Sequence, residues 1–208
     1  MTGQSVSDFE AAVNELRATD AALDAQVITH GDPPFWTREP GFATLVLFIL
    51  EQQVSLASAA AAFERLAART GGVAPETILA SDDGELRSDG FSRQKASYVR
   101  ALATEVLGGG LDLEVLNGHT DDEVRRVLVR LNGIGPWTAD VYLMSCLRRP
   151  DIWPVGDRAL QVATSETLSL QTVPTAQELD EIGKRWKPNR STAARILWHG
   201  YLSRRNRS

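Results

Sequence analysis

The sequence predicts an all-α fold, and three observations carry that prediction. Helix-capping signals recur from end to end, apolar residues repeat at helical spacing, and the apolar/polar alternation of strands is missing. Taken in order, Ser7-x-x-Glu10 reads as a capping box, in which side chains satisfy the free amides of a first helical turn. Phe42, Leu45, Val46, Ile49 and Leu50 then form one apolar stripe. Gly71-Gly72 reads as a helix stop, and Pro75 as the first residue of the next helix. Ser92 suits an N-cap, with the glycines at 108–110 stopping the helix it opens. Thr120-x-x-Glu123 opens a helix whose stripe, Val124, Val127, Leu128 and Leu131, runs to about Leu131. Thr175-x-x-Glu178 opens another, and Asn189 reads as the cap of the last. Nine or ten helices and no sheet are expected, without low-complexity segments or internal repeats.

The chain has 208 residues, enough for one domain or two small lobes sharing a core. Its hydrophobic content of 43% and charged content of 24% are ordinary for a soluble globular protein. A single cysteine, Cys146, excludes an internal disulfide and any four-cysteine iron–sulfur site, and fits a reducing cytoplasm. The opening MTGQSVSDFEAAV lacks the basic start and apolar run of a signal peptide. The longest apolar stretch, around residues 42–50, falls far short of the roughly 20 residues a membrane helix needs. A soluble, intracellular protein with no membrane partner is expected. The net charge of −5 is unevenly placed: residues 1–25 carry −4 and residues 184–208 carry +8. A phosphate-binding face needs only local cations, yet a basic tail reads equally well as a solvated one. Charge alone leaves the partner open.

The densest signal is L-N-G-I-G-P-W-T-A-D-V-Y-L, residues 131–143. A helix stops at Asn132-Gly133, and Pro136 is placed to start another, with Trp137, Val141, Met144 and Leu147 at helical spacing. The connection is therefore a hairpin with Gly-Ile-Gly at its tip. Glycines admit positive φ and remove the side chains that would hold another molecule away from the backbone. The tip then offers free N–H groups beside a positive helix N-terminus, a ready anion site, while Ile134 points inward. For a lone G-x-G, a plain tight turn between antiparallel helices is the better reading.

The surrounding residues weigh against the plain turn. L-N-G-I-G-P-W-T-A resembles the helix-hairpin-helix of the HhH-GPD superfamily of base-excision DNA glycosylases, and Trp153-Pro154-Val155-Gly156-Asp157 resembles its Gly/Pro-rich stretch and aspartate. Glu51-Gln52-Gln53-Val54-Ser55 is similar to the Q-Q-V-S of the alkylpurine (3-methyladenine) glycosylase branch. Trp186-Lys187-Pro188-Asn189-Arg190-Ser191, with Leu197-Trp198, is similar to that branch's W-x-P-x-R…L-W. Gly90-Phe91-Ser92 with Lys95-Ala96 resembles a weaker family segment. These motifs span roughly residues 42–200 in the family's order.

The resemblance implies a two-lobed helix-hairpin-helix glycosylase fold, one domain over 1–208, with the active site in the inter-lobe cleft. One lobe would cover about 38–150, including the hairpin at 121–147; the other would join about 1–37 to 151–208. It also implies that the hairpin amides, at Gly133, Ile134 and Gly135, with Thr138, hold a DNA phosphate. The resemblance also allows a monovalent Na⁺ or K⁺ ion at the Gly133 and Gly135 backbone; it implies no required cofactor. Damaged double-stranded DNA is the implied partner, bound by a monomer in the cytoplasm, at the nucleoid.

Cutting an N-glycosidic bond builds positive charge on the sugar, which a fixed carboxylate stabilises while orienting the attacking water. Asp157 matches the family's catalytic aspartate, at the expected N-cap of a helix through Leu160, Val162 and Ala163, although capping alone is the competing reading. Asp140 and Asp151 read as surface or capping acids. Bifunctional relatives carry a lysine after the hairpin proline; here Trp137 stands there, which implies a monofunctional enzyme without lyase activity. Gln53 matches the residue that wedges into the base stack, with Ser55 also at the DNA. Trp137 and Trp198 match the family's pocket aromatics, with Tyr142 and Trp36 as further candidates, because stacking and cation–π attraction favour charged alkylpurines such as 3-methyladenine and 7-methylguanine. Trp186 reads as core. The alternatives are a glycosylase for a neutral lesion such as hypoxanthine or uracil, a non-catalytic helix-hairpin-helix DNA-binding module, and a helical interaction protein that binds no DNA.

Overall fold

The computed structural model describes residues 3–205. Twelve α-helices and two short 3₁₀ turns account for its regular structure, with no strand among the described residues. The helices are α1 (Val6–Thr19), α2 (Ala21–His30), α3 (Phe42–Glu51), α4 (Leu56–Thr70), α5 (Pro75–Ala80) and α6 (Asp83–Asp89). They continue with α7 (Arg93–Leu107), α8 (Asp121–Leu128), α9 (Pro136–Ser145), α10 (Arg158–Thr167), α11 (Ala176–Gly183) and α12 (Arg190–Arg204).

Most helix boundaries follow from local chemistry. The boxes at Thr120 and Thr175 form as expected, each hydroxyl accepting from the amide three residues on while that residue's glutamate accepts from the cap's amide. Ser92 caps α7, Pro75 opens α5, and Gly71 ends α4 in the left-handed conformation that glycine adopts without strain. Three expectations need correction. The first helix is capped by Ser5 rather than Ser7: Ser5 Oγ accepts the Asp8 amide at 3.1 Å, and the Asp8 carboxylate accepts the Ser5 amide at 2.9 Å. Those bonds from Ser5 hold the Asp8 carboxyl below its usual range. Asn189 precedes α12 but makes no cap bond, because its amide donates to Glu15. Helix α8 ends at Leu128, a turn before Leu131.

The chain divides into two compact units, one of Arg38–Tyr142 and the other of the residues up to Thr37 together with those from Leu143 onward. The division falls inside α9, where the motif-based boundary lay near residue 150. In the first unit the core is built from Leu45, Val46, Phe48, Ile49 and Leu50 of α3, with Leu66, Ile78, Leu86, Val99 and Leu128, all at most 2% exposed. Burying each such side chain contributes about 1.5–3 kcal/mol, so the continuous stripe of α3 is the unit's main anchor. Here α5 packs on α7, and α3 on α4.

In the second unit α12 lies against α2, α10 and α1. Arg195, on α12, is 2% exposed and has carbonyl rather than carboxylate partners: Phe35 O at 2.9 Å, Ser191 O at 3.1 Å and Met144 O at 2.8 Å. Its guanidinium also lies 5.8 Å from the Phe9 ring centre and 5.2 Å from that of Phe35. Burial lowers its pKa to about 10, so it remains cationic at neutral pH. Trp186 is core, as expected, and its indole N–H donates to Asp20, the N-cap of α2.

The basic C-terminal segment is largely neutralised within the fold. Arg190 pairs with Asp151, Arg185 with Asp20, Lys184 with Glu181, and both Arg204 and Arg205 with Glu166. The Arg205 guanidinium, then Arg204, keeps the Glu166 carboxyl below its ordinary range. Arg207, counted in the charge of that segment, lies outside the described residues.

Candidate functional site

The hairpin lies in the first unit, between α8 and α9. Gly133 has φ of +88°, and a Cβ built on it would stand 2.3 Å from the Tyr98 ring on α7. Its carbonyl accepts from Gln52 Nε2 at 2.7 Å, which ties the loop after α3 to the hairpin tip. Gly135 differs: a Cβ there would meet nothing within 4 Å, so its bare backbone faces open space. The amides of Gly133, Gly135 and Thr138 have no partner among the described residues and stand at the N-terminus of α9. Backbone N–H groups at a helix start are suited to an anion.

Two hairpin expectations are corrected. The Ile134 amide is not on offer, because it donates to Leu131 O at 3.1 Å, and the side chain is buried as a pin to the core. The Thr138 side chain is 3% exposed, which leaves only its amide for contact. The Gly133 and Gly135 carbonyls accept from Gln52 and Ala139 respectively. One lone pair on each is what they retain for a monovalent cation. Among the described residues, no three His, Cys, Asp or Glu side chains are grouped to hold a metal ion.

The loop between α3 and α4 carries Gln53, exposed and at φ of +59°, a conformation strained for a side chain other than glycine. Strained, exposed residues of this kind gather at functional loops. Lys95 Nζ donates to Leu50 O at 2.6 Å and so caps the end of α3 beneath the loop; burial lowers the pKa of that ammonium. Arg38 grips Glu51 from the other side through two bonds, at 2.7 and 3.1 Å. Ser55 is the N-cap of α4, its hydroxyl accepting the Ser58 amide.

The second unit holds Asp157 on a turn built by W-P-V-G-D. Trp153 is buried and donates to Leu179 O, anchoring the start of the turn, and the Asp157 amide closes it on Pro154 O at 2.9 Å. Asp157 is the N-cap of α10, as the sequence predicts: Oδ1 accepts the Leu160 amide at 2.6 Å. The same oxygen accepts Trp198 Nε1 at 3.1 Å, so an indole from α12 orients the half-buried carboxylate. Gln161, one turn into α10, donates to Val155 O and holds Arg158 by its other amide atom.

Of the aromatic candidates, Trp198 is brought to Asp157. Trp36, 39% exposed at φ of +39°, lies edge-on to His199 with centres 6.2 Å apart, its preceding carbonyl held by Arg195. Trp137, in the first unit, is 37% exposed. Tyr142 is corrected: it is fully buried and its hydroxyl accepts the Gly41 amide, so its ring is core rather than a wall open to a base. Asp140 and Asp151, both half-buried, pair with Arg125 and Arg190, and Asp151 also accepts the Arg190 amide at the start of α12. Sequence reasoning missed Tyr98 and Arg195 and set Gln52 only beside Gln53. Gln52 lies inside a quoted motif; the other two carry no local signal.

The comparison with family models decides the matter, matching residues 46–189 to the HhH-GPD superfamily of base excision DNA repair proteins. The chain belongs to that superfamily. Both the hairpin and the Asp157 turn lie within the matched residues. This HhH-GPD chain is 31% identical over 185 residues to a putative DNA-3-methyladenine glycosylase of Bacillus subtilis, covering 85% of this chain and 64% of that one. It is 29% identical to a DNA-3-methyladenine glycosylase of Saccharomyces cerevisiae, over 64% of this chain and 48% of that one. The chain thus spans less than two thirds of the length of these curated relatives. Among solved structures, it superposes with TM-score 0.83 on a Schizosaccharomyces pombe 3-methyladenine DNA glycosylase in complex with abasic DNA, at 25% identity over 90% of this chain and 95% of that one. It superposes with TM-score 0.79 on a Bacillus halodurans DNA-3-methyladenine glycosidase, at 30% identity over 94% and 91%. The all-helical HhH-GPD fold expected from the sequence is the fold observed. No helix among the described residues is long and apolar enough to cross a membrane.

Proposed function

We propose that this chain is a monofunctional DNA glycosylase of base excision repair, which hydrolyses the N-glycosidic bond of alkylated purines such as 3-methyladenine and 7-methylguanine in duplex DNA. The observation that carries the reading is the Asp157 carboxylate, fixed by the Leu160 amide and the Trp198 indole. As the bond to the base breaks, the sugar takes on positive charge, which this carboxylate stabilises. Water adds at C1′, its proton passes to Asp157, and the alkylated base leaves with the bonding electrons, giving an abasic site. Trp198 and Trp36 offer indole faces for the extruded base, attractive to a cationic purine. With tryptophan rather than lysine after Pro136, no amine stands there to form a Schiff base, and strand cleavage is not part of the reaction.

The first unit holds the duplex. The amides of Gly133 and Gly135 take a backbone phosphate, and Gln53 fills the stack. A monovalent cation on the second lone pairs of the Gly133 and Gly135 carbonyls would add positive charge at that phosphate. Relatives named as 3-methyladenine glycosylases, with an abasic-DNA complex among them, support the assignment of substrate and partner. The enzyme acts as a monomer.

The test is base release from methylated duplex DNA, with products separated by chromatography. Free 3-methyladenine or 7-methylguanine is expected, with strands nicked only after alkali. Silence on methylated DNA and on hypoxanthine and uracil duplexes, with DNA still bound, would establish a non-catalytic binding module instead. Gly135→Ala separates the hairpin's role. Since its methyl meets nothing in the chain, thermal stability is expected to be unchanged. Affinity for lesion and undamaged duplexes alike is expected to fall about tenfold, as a phosphate contact that carries no sequence information should. Unchanged affinity would remove Gly135 from the DNA interface.

A further inference from the structure

The first unit has an arginine-lined hollow of about 540 Å³ between α6 and α7. Arg93, Ser97 and Arg100 share one face of α7, at spacings of four and three residues, and Arg87 faces them from the last turn of α6. The buried Phe91, in the turn joining the two helices, supplies the floor.

The hollow keeps uncompensated charge. Elsewhere in the unit Arg38, Arg69 and Arg125 are each paired with a carboxylate. Arg100 is fixed in direction, its Nη2 donating to Ser81 O at 2.6 Å and to Asp83 Oδ1 at 3.1 Å. Arg87 and Arg93 are exposed, and neither guanidinium has a partner among the described residues. Three cations thus face one carboxylate, Asp83, in a concave wall, in a chain whose net charge is −5. A local excess of this kind calls for an anionic ligand.

The same helix carries the hairpin. Gln94 and Tyr98, on the adjoining face of α7, are hydrogen-bonded at 2.6 Å, and the Tyr98 ring closes on Gly133. Arg93 and Arg100 are therefore set on the hairpin's own support. Seven residues of helix advance about 10 Å, so Arg93 and Arg100 stand about 10 Å apart along α7.

We propose that this hollow is a second phosphate-binding site, which takes the backbone of the bound DNA through Arg87 and Arg93, with Arg100 as the fixed back wall, away from the phosphate held by the hairpin. The proposal rests on the reading that the chain binds duplex DNA. The ligand is a phosphodiester strand and not a base, because guanidinium groups and a hydroxyl line the hollow without an exposed aromatic face.

The test is the salt dependence of DNA binding by the full chain, wild type against the Arg87→Gln/Arg93→Gln double variant. Both residues are exposed and unpartnered, so thermal unfolding is expected to be unchanged. The slope of log affinity against log salt is expected to shrink by about 1–2, since each phosphate contact contributes about 0.9. Affinity at fixed salt is expected to fall about tenfold, equally for lesion and undamaged duplexes. Single-turnover base release at saturating protein is expected to match wild type. An unchanged slope overturns the proposal, whether or not affinity falls, and would be the outcome if the hollow takes an acidic protein segment. A reduced slope in a protein that releases no base would leave the second phosphate site standing and remove the glycosylase reading alone.

Discussion

Asp157→Asn is expected to lower base release by about 10²- to 10⁴-fold, the range typical of losing a positioned catalytic group, with affinity for lesion DNA retained. The substitution isolates charge from structure. Asn is as good an N-cap as Asp, and its side-chain oxygen can still accept the Leu160 amide and the Trp198 indole N–H. The turn and α10 are thus kept, along with the indole contact. What is lost is the negative charge that opposes the developing cation on the sugar and the basic oxygen that receives the proton from water. Single-turnover release from methylated duplex, beside a binding isotherm for the same duplex, reads the two effects separately. Activity within tenfold of wild type would show that Asp157 only caps its helix.

Gly133→Ala is expected to act on the fold itself. Alanine at φ of +88° pays about 1–2 kcal/mol for left-handed backbone. Its methyl would also stand 2.3 Å from a Tyr98 ring atom, and such overpacking costs about 1–3 kcal/mol. The sum, about 2–5 kcal/mol, should lower the melting temperature by at least several degrees in a chain of this size. Urea or thermal unfolding measures it. Stability equal to wild type would mean that Tyr98 yields freely and that the turn is not held by that ring. The contrast with Gly135→Ala, which meets nothing, divides the two glycines of one motif: the first answers to the interior and the second to whatever approaches from outside.

That division marks what the sequence could and could not convey. Helix ends at Thr120, Thr175, Ser92, Pro75 and Gly71 were legible because cap and partner lie within a few residues of each other. The first cap lies two residues from its expected place: Ser7-x-x-Glu10 fits the box pattern, but Ser5 forms the box, with the Asp8 carboxylate closing on its amide. Long-range pairs were out of reach. Nothing in the residues around Trp198 says that its indole N–H reaches a carboxylate 41 positions away. Likewise, Arg190 and Arg204 looked like free cations because Asp151 and Glu166 lie 39 and 38 positions earlier. Tyr142 reads as a further pocket candidate beside Trp137, but only tertiary packing decides which side of α9 is interior. The hairpin itself was readable, since glycine and proline at those offsets state a backbone requirement directly. Which of its amides are already spent on the turn was not.

The second unit is assembled from segments on either side of the first unit, which is threaded between Thr37 and Leu143. During synthesis α1 and α2 precede the first unit, and α10 and α12, against which α2 lies, follow it. Until then the apolar faces of Val13, Leu23 and Val27 lack the cover of those helices, while Phe9 already has the Phe35 ring stacked on it. The contiguous unit that carries the hairpin meets no such delay. The helices made before the first unit wait for those made after it, and the aspartate and the indole that steadies it come together only once α12 has been made.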